Sequence, residues 1–158
     1  VIGITRSGRP HEAADEMYRA AALRDHLPRA DFLVIASPVT PETRGLIGAA
    51  ELDLLKPGGG VVNIGREPVM DYEALRVRLE SGHIGGAILD VFDPEPLAAD
   101  SPLWTTPNLI ITPHNSTDDI EQYIPRTIDM FFANLARFIA GKPLENQVDR
   151  KLGYWVKG

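Results

Sequence analysis

The sequence predicts an α/β fold built on a doubly wound parallel sheet. Two patterns carry that expectation. Five short, uniformly apolar runs alternate with longer amphipathic stretches along the 158 residues, as β-α-β crossovers require. The polar residues with chemistry to offer fall directly after those runs, at the carboxyl ends of the expected strands. Open α/β sheets bind their ligands there.

The elements follow in order. Val1 to Thr5 (VIGIT) reads as the first strand. Residues 11 to 30 are Ala-rich and polar, and read as a turn, a short edge strand near Ala20 to Leu23, and a short helix. Asp31 to Ser37 (DFLVIAS) is the next strand. Its lack of polar alternation suits a parallel strand covered on both faces. Residues 48 to 55 (GAAELDLL) predict a helix stopped by Lys56, Pro57 and Gly58. Gly60 to Ile64 (GVVNI) is a third apolar run. The glycines 58 to 60 lead into it and read as a turn, because a phosphate loop leads out of a strand into a helix. Asp71 fits an N-cap, with Ala74, Leu75 and Leu79 on one helix face and Gly82 as terminator. Gly85 to Val91 (GGAILDV) and Asn108 to Thr112 (NLIIT) supply two more strands. The longest helical pattern spans 118 to 140 and ends at Gly141, with Pro125 inside it as an expected kink or break. The tail from Pro143 carries Tyr154 and Trp155 and looks made to pack on something else.

Composition narrows the partners. The net charge of −6 and pI near 5.2 argue against nucleic acid. With no cysteine, disulfides and thiolate metal sites are excluded, and no metal is expected. No apolar run approaches the ~20 residues of a membrane span, so no membrane partner is expected. No signal peptide is visible, which makes the cytoplasm the default.

Asn63, Gly65 and Arg66 follow the third apolar run, Asp90 ends the fourth, and Glu95 lies just beyond. In "LIITPH" (109 to 114), Pro113 stops the strand and presents His114 at its end. Each residue alone has a bland account: a surface ion pair, a solvated loop charge, a satisfied loop histidine. Together one guanidinium, one imidazole and two carboxylates converge on one sheet edge, where a stability-only account would scatter them. A guanidinium can hold an anionic substrate by its carboxylate. Histidine has a proton to give near neutral pH, and a carboxylate beside its other nitrogen orients the ring and favours the charged form. Acid-base help at a polarised carbonyl is what ketone reduction needs. The hydride must come from a cofactor, since no side chain supplies one. Against this stands an absence: the fingerprint G-x-G-x-x-G does not occur, and Gly3 to Gly8 lacks the ending of a P-loop.

Three motifs in order carry a resemblance: "ADFLVIASPVTPETRGLIGAAELDLLKPGGGVVNIGREPVMD" (30 to 71), "GGAILDVFDPEPL" (85 to 97) and "SPLWTTPNLIITPH" (101 to 114). The sequence resembles the D-isomer-specific 2-hydroxyacid dehydrogenases from residue 1 to about 154. Trp104 and the ending "GKPLENQVDRKLGY" look most like the glyoxylate/hydroxypyruvate reductase branch. The resemblance implies a Rossmann-like sheet, incomplete at its N-terminal side. Residues 1–142 would be a dinucleotide-binding domain lacking its first strand and glycine-rich loop. Residues 143–158 would return to a substrate domain outside this chain. The chain is thus expected to be the second half of a longer protein, inactive alone. The lacking strand would sit between residues 1 to 5 and either 31 to 37 or 60 to 64, leaving two unpaired edges.

The resemblance also implies roles. Arg66 would bind the carboxylate and carbonyl oxygen of a small 2-keto or 2-hydroxy acid. His114 would protonate the carbonyl oxygen and border the cofactor. Glu95 would pair with His114 and keep it protonated, and Asp90 would hold the nicotinamide carboxamide. Backbone at Ser37, Pro38 and Val39, with Thr43, would line the cofactor cleft, as would Ile64 and Gly65. The complete protein would be a homodimer. Two departures touch the site. Glu67 and Pro68 follow the arginine where the family usually has glycine, and that extra charge is expected to weaken anion binding. Asn115, Ser116 and Thr117 replace a commoner small, apolar run. A non-catalytic, dinucleotide-sensing module of the same fold remains the alternative. The formate dehydrogenases are also similar but carry glutamine where Glu95 stands.

The stretch "TRSGR" (5 to 9) addresses the cofactor. In dinucleotide folds the end of this strand meets the adenosine ribose, and NAD enzymes place an acid there. Here stand Thr5, Arg6 and Ser7, with Arg9 beyond and no acid until Glu12. Arg6 suits a 2′-phosphate and Ser7 can donate to it. NADP is expected as the preferred cofactor over NAD.

Overall fold

Each apolar run forms a strand whose ends fall within two residues of the expected ones, in a computed structural model that describes residues 1–115, 119, 121–151 and 153–155. The strands are β1 (Ile2–Thr5), β2 (Glu16–Arg19), β3 (Phe32–Ile35), β4 (Gly59–Asn63), β5 (Ile84–Leu89) and β6 (Leu109–Ile111). Strands β3-β4-β5-β6 form one sheet in that order, and β1-β2 form a separate pair. Every ladder among these six is parallel. Within the four-stranded sheet, all carboxyl ends therefore share one edge. Strand β4 is paired on both sides, so of the two neighbours considered for a further strand only β3 has an open ladder side.

The register explains the core. Leu33, Val61, Ala87 and Leu109 form one row across the sheet, and Ile35, Asn63, Leu89 and Ile111 the next. Both rows belong to the face that packs against α2 (Ala49–Leu52) and α3 (Tyr72–Glu80) through Leu52, Leu75 and Leu79. Of the two covered faces expected from the apolar runs, this one carries the helix packing seen among the described residues of Val1–His114. The alternate row of Val34, Val62, Ile88 and Ile110 keeps Val34 and Ile110 each 58% exposed. The reason is that both packed helices lie on the opposite face.

Three further expectations shift. The strand expected near Ala20 to Leu23 forms four residues earlier, at Glu16–Arg19. Alanine, the best helix former, instead turns residues 20–22 into a 3₁₀ turn leading to α1 (Leu23–His26). There Leu23 and Leu27, one turn apart, are both buried. The helix expected over 48 to 55 closes after a single turn. In it, Glu51 accepts from the Gly48 N–H at 3.0 Å. Pro125 does not break the long helix α4 (Tyr123–Ile139). It falls in the first turn, where a backbone N–H has no intrahelical partner to lose. The expected start at residue 118 lies outside the described residues.

Asp71 caps α3 as its side chain predicts, accepting from the Ala74 N–H at 2.9 Å. Gly82, at φ +76°, takes the left-handed turn that ends it. Asp71→Ala should cost about 1 kcal/mol of stability. In urea denaturation of the full-length protein the midpoint should fall with the slope unchanged, and an unmoved midpoint would show that the cap contributes nothing.

The chain divides into two units, Val1–His114 and Asn115–Gly158. In the second, residues after α4 fold back along that helix. Asn134 exchanges two hydrogen bonds with the Glu145 backbone, at 2.8 and 3.2 Å, and Arg137 donates to the Pro143 carbonyl at 2.7 Å. Val148–Asp149 and Tyr154–Trp155 then pair as short antiparallel strands β7 and β8. Among the described residues, no helix is long and apolar enough to cross a membrane.

Candidate functional site

The carboxyl edge of the four-stranded sheet is organised by a buried asparagine. Asn63 ends β4, and the strand alternation that buries Val61 buries it too. Its Oδ1 accepts from the Gly65 N–H at 3.0 Å, while Nδ2 lies 3.3 Å from the Arg66 carbonyl and 3.0 Å from the Tyr72 hydroxyl. The Tyr72 hydroxyl in turn donates to the Val91 carbonyl at 2.8 Å. Burial pushes the Tyr72 phenol up, so it stays protonated and keeps that donor role. One side-chain chain thus ties the loop after β4 to the loop after β5. Neither Asn63 nor Tyr72 was assigned a role from sequence. A polar residue at an inward-facing strand position was the available signal for Asn63, whereas nothing local marks Tyr72.

Arg66 is exposed, and its Nη1 donates to the Gly65 carbonyl at 2.6 Å. Gly65 is where absence of a side chain matters, since a Cβ would stand 2.7 Å from the Ser37 carbonyl oxygen. The loops after β3 and β4 therefore touch. The first of these loops is held by Thr43, whose hydroxyl donates to the Pro38 carbonyl at 2.7 Å and accepts from the Thr40 N–H at 2.7 Å.

Beyond β5, Asp90 is 1% exposed, and its Oδ1 accepts from the Thr112 hydroxyl at 2.5 Å. Thr112, at the end of β6, is a further contact that sequence did not single out. Glu95 and His114 meet: Nδ1 lies 2.8 Å from Oε2 and 3.0 Å from Oε1. The second Glu95 oxygen contact is with the Phe92 N–H, at 2.8 Å from Oε1. The His114 bond, then the Phe92 N–H, hold the Glu95 carboxyl below the usual carboxylate range, with a smaller pull from Arg66. An ionised carboxylate can only accept, so Nδ1 carries the shared proton and Nε2 is the nitrogen left to exchange one. His114 itself sits at φ +53°, in the left-handed region that a residue with a side chain rarely adopts.

The geometry thus brings Glu95 to His114, Ser37 to Gly65, and the charge of Arg66 within range of Glu95. The residues after β1 form a turn of their own. Thr5 Oγ1 accepts from the Gly8 N–H at 3.0 Å and Ser7 Oγ from the Arg9 N–H at 3.3 Å. Arg6 is close enough to Glu42 to help lower its carboxyl, after the larger effects of the Thr40 hydroxyl and the Glu42 backbone. Ile64 and Val39 are partly exposed at the same carboxyl edge as Arg66 and Ser37.

The family model of the D-isomer specific 2-hydroxyacid dehydrogenase, NAD binding domain, matches residues 1–116. The chain belongs to this 2-hydroxyacid dehydrogenase family. Among curated relatives, an uncharacterised protein in the proB 3′ region of Corynebacterium melassecola is 37% identical over 153 residues, which is 97% of this chain and 50% of that protein. Glyoxylate/hydroxypyruvate reductase B of Yersinia pestis (strain Pestoides F) is 44% identical over 110 residues, 68% of this chain and 34% of the reductase. The chain thus spans half or less of these relatives. Two solved structures share the fold. A D-isomer-specific 2-hydroxyacid dehydrogenase from Xanthobacter autotrophicus Py2, in complex with NADPH and MES, has a TM-score of 0.87 at 40% identity, covering 97% of this chain and 62% of that one. An NADPH-dependent glyoxylate/hydroxypyruvate reductase from Sinorhizobium meliloti, in complex with NADP and sulfate, has a TM-score of 0.88 at 39% identity, covering 97% and 49%.

For a 2-hydroxyacid dehydrogenase chain, the residues present fit part of a nicotinamide dinucleotide. A buried carboxylate at a strand end and a glycine that admits close loop contact suit its nicotinamide side. Cations and a hydroxyl after β1 suit the adenosine side. For the pyrophosphate, no G-x-G-x-x-G loop occurs within the 158 residues.

Proposed function

We propose that the protein carrying this chain reduces a small 2-keto acid, of the glyoxylate or hydroxypyruvate type, to the 2-hydroxy acid with a nicotinamide cofactor. The observation that carries the reading is the Glu95–His114 pair, 2.8 Å apart at the sheet's carboxyl edge, with Arg66 in electrostatic range. Arg66 holds the substrate carboxylate and orients the carbonyl. Glu95 fixes the imidazole through Nδ1, so that Nε2 delivers a proton to the carbonyl oxygen. Asp90 and the Gly65 and Ser37 backbones position the nicotinamide end. When bound, the cofactor supplies the hydride. The reading places these residues in the C-terminal half of a longer, homodimeric, cytoplasmic protein, with residues 1–142 in its dinucleotide-binding domain. Steady-state assay of the full-length protein on glyoxylate, hydroxypyruvate and pyruvate tests it. Tight dinucleotide binding without turnover on any 2-keto acid would favour a sensing module instead.

The same reading assigns NADP as the preferred cofactor. Arg6 and Ser7 stand where a carboxylate would repel a 2′-phosphate, and two structural relatives were solved with NADPH and NADP. Catalytic efficiency should be higher with NADPH than with NADH. Arg6→Asp should erase or reverse that preference, by attraction lost and repulsion gained. Equal or better use of NADH by the unmodified protein would overturn the assignment.

A further inference from the structure

The loop that carries Glu95 is gripped at three successive residues. Tyr72 donates to the Val91 carbonyl at 2.8 Å and packs edge-on against the Phe92 ring, with centroids 6.1 Å apart. The Phe92 N–H goes to Glu95 Oε1 at 2.8 Å. The Asp93 N–H, next in line, goes to Glu67 Oε2 at 2.5 Å. Glu67 follows Arg66 and opens a short 3₁₀ turn, residues 67–69. Its carboxylate is therefore turned toward the loop after β5. Adjacent amides are each claimed by a different carboxylate, and only one of these carboxylates also contacts His114.

We propose that Glu67 is a positioning residue: by occupying the Asp93 N–H it keeps that amide from competing for Glu95, and so leaves Glu95 free to orient His114. This rests on the reductase reading above. The physics is a competition among donors. Successive backbone N–H groups in a turn can form a concavity that binds one anion. Glu95 already accepts from the first of them, and a carboxylate can bridge both with its two oxygens. Were Asp93 unoccupied, Glu95 would gain a backbone bond by turning its Oε2 away from His114 Nδ1. Glu67 removes that alternative. The arrangement also sets two like charges side by side, which is unfavourable. Burial, then the charges of Asp93 and Glu95, push the Glu67 carboxyl above its ordinary range, while the Asp93 N–H pulls it back. Arg66, its chain neighbour, is the nearest cation in sequence, and Tyr72 faces it from α3.

Two conservative variants separate acceptor reach from charge. Glu67→Gln keeps an oxygen at the same reach and loses the charge. Glu67→Asp keeps the charge and falls one methylene short. In the full-length protein, Glu67→Gln should stay within about 2-fold of the parent in kcat, whereas Glu67→Asp should lose about 10-fold in kcat with KM for the keto acid little changed, a part of the ~10²–10⁴-fold that a positioned general acid contributes. The His114 Nδ1 proton, followed by ¹H–¹⁵N correlation with labelled histidine, should persist in the parent and in Glu67→Gln and be lost to solvent exchange in Glu67→Asp. The opposite order, both variants impaired, or both like the parent would overturn the proposal. A rise in KM as the main effect would do so too, by making Glu67 a substrate contact. If the parent reduces no 2-keto acid, the reductase reading fails while the Nδ1 signal still decides the role of Glu67.

Discussion

Replacing His114 by alanine should lower turnover about 10²–10⁴-fold while leaving the Michaelis constant for the keto acid close to the parent value. The carbonyl oxygen is neutral in the bound substrate and becomes basic only as hydride arrives. Proton donation therefore stabilises the transition state more than the ground state, and its loss falls on kcat. The geometry makes the expected effect large. Glu95 accepts from Nδ1 at 2.8 Å, so the ring is already oriented and Nε2 is left to carry the proton that goes to the substrate. Water entering the space left by the alanine is an unoriented donor. Turnover on glyoxylate, hydroxypyruvate and pyruvate measures the effect, and a variant within about 3-fold of the parent would sink the assignment.

Arg66→Lys should behave as a severe change despite keeping the charge. A guanidinium offers parallel N–H donors that match a carboxylate, and an ammonium does not. Losing that paired contact should reduce kcat/KM on 2-keto acids by about 100-fold, or about 2.7 kcal/mol. Arg66 also helps to hold Glu95 ionised, so part of any loss could pass through the histidine pair. A neutral aldehyde separates the two routes, having a carbonyl to protonate but no carboxylate to clamp. Its reduction should fall by less than about 10-fold. Equal losses on both substrates would show that Arg66 does not read the carboxylate.

The sheet was legible because it rests on short, uniformly apolar runs. Periodicity locates such strands without knowledge of their neighbours. The order of polar residues after those runs was enough to gather Arg66, Asp90, Glu95 and His114 at one edge. What sequence misplaced was local competition. The alanines at 20 to 22 pass both as an edge strand and as a helical turn, and only the burial of Leu23 and Leu27 decides for the turn. Pro125 reads as a breaker until the first helical residue is known. The apolar runs carry no sign of which face stays uncovered, since Val34 and Leu33 are equally apolar. At the site, the contacts of Tyr72 and Glu67 were illegible for another reason. Their partners, the Val91 carbonyl and the Asp93 N–H, are backbone atoms that look alike in every sequence.

The left-handed backbone of His114 sets heat resistance against chemistry at one position. An L residue held there gives up about 1 kcal/mol that glycine would keep. Selection for a higher melting temperature alone therefore favours glycine or asparagine at 114, and on the proposed chemistry either substitution removes the proton donor. On the proposed chemistry, an engineer who stabilises this protein by repairing its left-handed residues would lose catalysis at His114.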